Sequence, residues 1–220
     1  MRQKKPRLVI LVAVKREAEA LAKTLGLKPT ATPWEWVGGE MIRLYVVGIG
    51  AGHIPAGLRE AEGVILAGLA GALETSLQVG EVVVDAASAP LPKLEGVRVG
   101  NIKSSECMVT TPAAKAELYK QTGALAVEME SATVRGAIGT QQAFVHIRAI
   151  SDTAQEELDP AVLGYVDEMG QPRWKALAAG LIRRPNRMGY LLQLQRHCDR
   201  ALARLGQELG KIVNSSWPRI

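Results

Sequence analysis

The stretch Leu8-Val-Ile-Leu-Val-Ala-Val14-Lys-Arg-Glu17-Ala-Glu-Ala-Leu-Ala-Lys-Thr-Leu25 decides the fold class. Leu8–Val14 is far shorter than the roughly 18 apolar residues of a membrane span. It meets Lys15-Arg16-Glu17 rather than a small-residue cleavage site, so the basic start Met1-Arg-Gln-Lys-Lys-Pro-Arg7 does not make it a secretion signal. It reads as a buried first strand. Ala18, Leu21, Ala22 and Leu25 then share one face of a helix over Glu17–Leu25.

The same alternation continues outward. Trp34–Val37 and Met41–Val47, parted by Gly38-Gly39, read as a hairpin. Val64–Leu69, Glu81–Ala86 and Ala143–Ile150 are further strand-length apolar runs, and Ala113–Gln121 and Val127–Ile138 look helical between them. Short apolar strands alternating with helices predict an α/β layer architecture whose sheet is buried on both faces. The chain of 220 residues fits one domain, with 47% hydrophobic and 22% charged residues. Cys107 and Cys198 are too few for a disulfide scaffold, so a cytoplasmic protein is expected.

Charge is unevenly distributed. Residues 1–170 carry 17 Lys/Arg against 20 Asp/Glu, whereas residues 171–220 carry 10 against 2, giving −3 and +8. In that basic tail Leu191, Leu194, Cys198, Ala201 or Leu202, Leu205, Leu209 and Ile212 follow helical spacing, flanked by Arg196, Arg200, Arg204 and Lys211. Two readings are open: a last helix packed on the sheet, or a helix that also binds a surface. Nucleic acid is disfavoured, since Trp174, Tyr190 and Trp217 are the only aromatics there and no recognised motif accompanies the charge.

Several chemistries find no motif. The chain has no P-loop and no Gly-x-Ser-x-Gly elbow, and His53, His146 and His197 are scattered away from metal-ligand spacing, so no metal is expected. Gly48-Ile-Gly50-Ala-Gly52-His53 has His53 where a dinucleotide fingerprint needs glycine. With Gly68-Leu-Ala-Gly71 it predicts two small-residue loops at strand ends, and so a cleft built mainly from backbone amides. Carboxylates mark the same ends. Glu17 follows the first strand, Glu128-Met129-Glu130 opens the Val127–Ile138 helix, and Asp152 ends Arg148-Ala-Ile-Ser151-Asp152, placed to hold a proton and act as an acid.

Taken together, Ala13-Val-Lys-Arg-Glu17, Gly48-Ile-Gly50, Gly68-Leu-Ala-Gly71-Ala-Leu, Val79-Gly-Glu-Val-Val83, Ala126-Val-Glu-Met-Glu130-Ser-Ala and Arg148-Ala-Ile-Ser-Asp152 resemble the nucleoside phosphorylase/nucleosidase superfamily, in its methylthioadenosine/adenosylhomocysteine nucleosidase-like part. The resemblance runs from residue 8 to about 155. Thr111-Pro-Ala-Ala-Lys115 and Ile182-Arg-Arg-Pro-Asn-Arg187 look like the hopanoid-associated phosphorylase branch, implicated in removing adenine from adenosylhopane.

The resemblance implies a three-layer phosphorylase/hydrolase-like α/β fold, a central mixed sheet flanked by helices. It also implies an enzyme that cleaves the N-glycosidic bond of a purine nucleoside, by phosphorolysis or hydrolysis, with no cofactor and with phosphate as an optional co-substrate. Asp152 would protonate N7 of the leaving purine and Glu17 would activate water. Glu130 would bind the ribose hydroxyls with Met129 against the sugar, and Glu128, Gly71, Gly50, Val109 and Ser151 would complete the substrate site. A homo-oligomer is expected. The rival reading is a non-catalytic nucleoside-binding or membrane-surface module.

The chain departs from that family in three places. Leu69 stands where hydrolytic relatives often carry serine. Lys103-Ser-Ser-Glu-Cys-Met108-Val109 replaces a segment whose aromatic ring stacks on the base, and the connection from Val84 to Ser104 is short. These changes fit a substrate that is bulky and apolar beyond the 5′ carbon. Such a lipid would reside in a membrane, where each surface-facing Lys/Arg adds roughly 1 kcal/mol of attraction to anionic headgroups. The basic tail is therefore expected to dock on anionic bilayers.

Overall fold

The computed structural model describes residues 6–39, 41–140, 142–173, 175, 177, 179, 187–215 and 217. The start Met1–Lys5, Trp174 and most of the Ile182–Arg187 stretch lie outside the described residues.

The first strand and helix form as the pattern predicts: β1 (Leu8–Val12) is buried throughout, and α1 (Lys15–Leu25) turns Ala18, Leu21 and Ala22 inward. A short β2 (Lys28–Pro29) precedes the hairpin of β3 (Glu35–Gly38) and β4 (Ile42–Val46), which pairs Glu35 with Tyr45. Trp34 stays outside the strand because its φ is +64°.

The long strands β5 (Gly63–Ala72) and β10 (Ala143–Asp152) form the centre, with β6 (Val82–Asp85), β7 (Val97–Gly100), β8 (Ile102–Ser104) and β9 (Ala126–Glu128) beside them. The order is β2-β3-β4-β1-β5-β10-β6-β7, with β9 joining β5 to β8. β1, β4, β5 and β10 run parallel, while β6 and β9 meet their long neighbours antiparallel. The sheet is thus mixed, as expected. The other described helices include α2 (Pro112–Thr122), α3 (Ser131–Ala137), α4 (Ala161–Gly164) and α5 (Arg187–Val213).

Two expectations change. Val127–Ile138 is not one helix: Ala126–Glu128 is strand, and the helix begins only at Ser131. The break lies at Glu128, whose carboxylate accepts from the backbone N–H groups of Glu130 and Ser131 and from Ser131 Oγ. That ties off the helix start in the manner of an N-cap, with a negative charge at the positive end of the dipole. The second change extends the last strand: Ser151 and Asp152 belong to β10, across an irregularity between Ile150 and Asp152.

The tail helix α5 is a core element. Ala201, Leu202, Leu205, Leu209 and Ile212 are buried in the same cluster as β1, β5 and β10. Burying each large aliphatic side chain supplies about 1.5–3 kcal/mol, enough to hold the last helix on the sheet. Its cationic flank is partly engaged within the fold: Arg204 and Lys211 both pair with buried Glu208. No helix among the described residues is long and apolar enough to cross a membrane.

Candidate active site

The ends of β5, β9 and β10, the loop 107–109 and the first turns of α5 enclose a cavity of about 250 Å³. Its wall includes Glu17, Gly71, Val109, Glu128, Met129, Glu130, Ser151 and Asp152. The fold therefore gathers eight of the nine residues singled out in the sequence. Gly50 is the ninth, and it stands behind the wall, where its N–H donates to Glu130 Oε1 at 3.1 Å.

The loops do not present free amides, as the glycine pattern suggested. Leu69 N–H donates to Glu17 Oε1 at 2.8 Å, and Ala13 and Val14 N–H donate to Oε2 at 2.9 and 3.1 Å. The amides hold carboxylates, and the carboxylates face the cavity. Close approach explains the glycines: a Cβ on Gly68 would stand 2.5 Å from Arg148 Nη1 and 2.8 Å from Glu17 Oε1. One on Gly71 would stand 2.9 Å from Asp152 Oδ2.

At one end of the cavity the organising group is Arg148, which the sequence reading quoted inside a motif without giving it a role. It is fully buried. Nη2 donates to Glu128 Oε2 at 2.5 Å and to Glu130 Oε2 at 3.1 Å, and Nη1 donates to the Leu69 carbonyl. Nε donates to His146 Nε2 at 3.0 Å, which leaves the ring proton on Nδ1, 3.4 Å from Asp85 Oδ2. Arg135 Nη2 closes the chain 3.3 Å from Asp85. A charged residue in the middle of a strand buried on both faces was the available signal, because buried charges must be paired.

Electrostatics separate the three carboxylates around Arg148. Burial raises Glu17 above the usual carboxylate range despite the arginine and the backbone donors. Glu130 is raised likewise, by burial and by its neighbour Glu128. Burial acts on Glu128 too, but there Arg148, His146 and the Ser131 hydroxyl outweigh it and hold the group at about 2. Burial lowers His146, so that ring is neutral. The site thus contains a firmly ionised glutamate that anchors the arginine and two that exchange protons more readily.

At the other end Asp152 Oδ1 accepts from Ser151 Oγ at 2.7 Å, and Oδ2 accepts from Lys115 Nζ at 2.6 Å. The lysine ammonium thus bonds directly to the carboxylate expected to act as the acid. Met108 and Val109 supply apolar surface at the wall, while Leu158 and, from α5, Tyr190 and Leu194 supply more. Sequence reasoning gave Leu158, Tyr190 and Lys115 no role at the site. His197 and Cys198 do not line this cavity; the Cys198 thiol is pushed up to about 11 by burial. Among the described residues no group of His, Cys, Asp and Glu is arranged to hold a metal ion.

No family model and no curated protein matches the chain. Solved structures do. The 5′-methylthioadenosine/S-adenosylhomocysteine nucleosidase of Helicobacter pylori superposes with a TM-score of 0.64 at 16% identity, covering 96% of this chain and 99% of that one. The corresponding Neisseria meningitidis nucleosidase gives 0.61 at 22% identity, covering 94% and 97%. Futalosine hydrolase of Helicobacter pylori gives 0.62 at 15% identity, covering 96% and 98%. Across nearly its whole length, the chain has the α/β fold that these nucleosidases share.

Proposed function

We propose that this protein hydrolyses the N-glycosidic bond of a purine nucleoside, releasing adenine. The observation that carries the reading is the single cavity holding Glu17, Glu130 and Asp152 at opposite ends, in the fold of enzymes named for nucleoside cleavage. As the bond breaks, the electron pair leaves with the base and the sugar becomes oxocarbenium-like. The reaction then needs a proton at the base and a proton acceptor at the nucleophile. Asp152 serves N7, with Ser151 orienting it, Gly71 beside the base, and Val109 and Met108 against its face. Glu130 takes the ribose hydroxyls, with Met129 against the sugar. Glu17, its carboxyl raised by burial, accepts the proton of the attacking water.

Water is favoured over phosphate as the nucleophile by charge. Among the described residues that line the cavity Arg148 is the only Lys or Arg, and its nitrogens are engaged by Glu128, Glu130, His146 and the Leu69 carbonyl. Three carboxyl groups already surround that arginine, which leaves this end unsuited to a phosphate dianion. The apolar wall of Leu158, Tyr190 and Leu194 supports a large apolar 5′ substituent, as in adenosylhopane. Tail docking on anionic bilayers belongs to the same reading. It is supported by exposed Met188 and Leu192, one turn apart at the start of α5.

A substrate panel with chromatographic detection of adenine, run with and without phosphate, tests the reaction. Adenine and free ribose without phosphate are expected, and ribose 1-phosphate formed only with phosphate would overturn hydrolysis. Higher turnover is expected for nucleosides bearing apolar 5′ groups. Flotation at low salt should recover more protein on anionic than on neutral liposomes. Light scattering should show at least a dimer of the 23.6 kDa chain.

A further inference from the structure

Lys115 is the one buried residue of α2, and it has no solvent exposure. Its three ammonium protons meet three acceptors: Asp152 Oδ2 at 2.6 Å, the Thr153 carbonyl at 2.7 Å and the Glu156 carbonyl at 2.9 Å. Burying a charge is costly unless it is paired, and apolar residues of similar volume often serve packing as well or better. An ammonium held here needs a reason beyond cohesion. The lysine also brings a transferable proton to Asp152 Oδ2. A purine leaving group requires one.

We propose that Lys115 is the positioning residue and proton store of Asp152, an inference that rests on the nucleosidase reading above. At rest the pair is ammonium and carboxylate. As the C–N bond breaks and its electron pair moves into the base, Lys115 Nζ passes a proton to Asp152 Oδ2. The carboxylic acid so formed protonates N7. The pair is then neutral amine and carboxylate, and water that enters the cavity after the base departs returns a proton to the amine through Asp152. One proton has moved from lysine to base, and Glu17 takes the proton of the water that captures the sugar. The other groups facing the pair are Glu156, whose carboxylate accepts from Thr153 N–H, and His197, 3.6 Å from Glu156. Tyr190, Asp159 and the Cys198 thiol also lie near the pair, the first two joined by a hydrogen bond from Asp159 N–H to the Tyr190 hydroxyl.

The test compares kcat–pH profiles of the wild type, Lys115→Met and Lys115→Arg, with thermal melts to confirm folding. In Lys115→Met, Asp152 must hold its own proton, so the alkaline limb moves to lower pH by about one unit or more. Lys115→Arg keeps the positive charge, and with it a folded ion pair, but guanidinium does not give up its proton. Its kcat should fall about 10²-fold at every pH, with KM changed little. Wild-type kcat and an unmoved alkaline limb in both variants, with Asp152→Asn inactive, would overturn the lysine's role and leave the nucleosidase reading standing. Absence of base release by the wild type overturns both.

Discussion

At one end of the cavity Arg148 meets Glu128, Glu130 and His146, and His146 in turn meets Asp85. At the other, Asp152 meets Lys115 and the hydroxyl of its own neighbour, Ser151. The arginine end is cross-linked many times over and is rigid before substrate arrives, which suits groups that must hold a sugar in one orientation. The aspartate end has two bonds, one of them to a proton-bearing ammonium, which suits a group whose charge must change during turnover. Redundancy serves binding and a single labile pair serves proton transfer.

The harshest way to break this contrast is Arg148→Met. It leaves Glu17, Glu128 and Glu130 buried without their cation, and removing one partner of a buried pair costs about 3–5 kcal/mol. Urea unfolding should show that loss, and base release should disappear with it. Glu17→Gln attacks the same end without removing the arginine. It should lower kcat roughly 10²–10⁴-fold. In the wild type, kcat/KM should fall as pH drops through a value above the ordinary 4.5 of a glutamate, and the substitution should abolish that limb.

Gly71→Ala acts at the opposite end, where its Cβ would press within 2.9 Å of Asp152 Oδ2. Displacing the acid by a fraction of an ångström should slow adenine release by up to about 10²-fold while leaving the melting temperature near the wild type. The last effect is on stability against pH. Glu128 is held at about 2 when folded, against 4.5 as its ordinary value. Its contribution is fully present above the unfolded value and is lost as pH falls toward the folded one. Denaturation curves should record that loss, and Glu128→Gln should flatten it.

The sequence spelled out the motif residues at both ends far better than the cations that hold them. Glu128, Met129 and Glu130 are contiguous, as are Ser151 and Asp152, so a strand end delivers them together and the motif is visible in a few residues. Lys115 lies 37 positions from Asp152 on a helix with little amphipathic pattern, and nothing local marks it as buried. The strand periods of β1, β5 and β10 were plain because both faces are covered. The helix expected over Val127–Ile138 failed because apolar spacing says nothing of a glutamate that caps the chain from within a strand. The amphipathic stripe of α5 showed that a face is buried, but only packing reveals that Leu194 and Tyr190 turn from the core to the cavity.

Single-turnover release of adenine by the wild type and by Asp152→Asn, with nucleoside binding measured in parallel by calorimetry, tests the account most directly. The prediction is that the variant binds the nucleoside with similar affinity and releases base about 10²–10⁴-fold more slowly. Equal release rates at equal occupancy would contradict the assignment of Asp152 as the acid, and with it the chemistry proposed for this cavity.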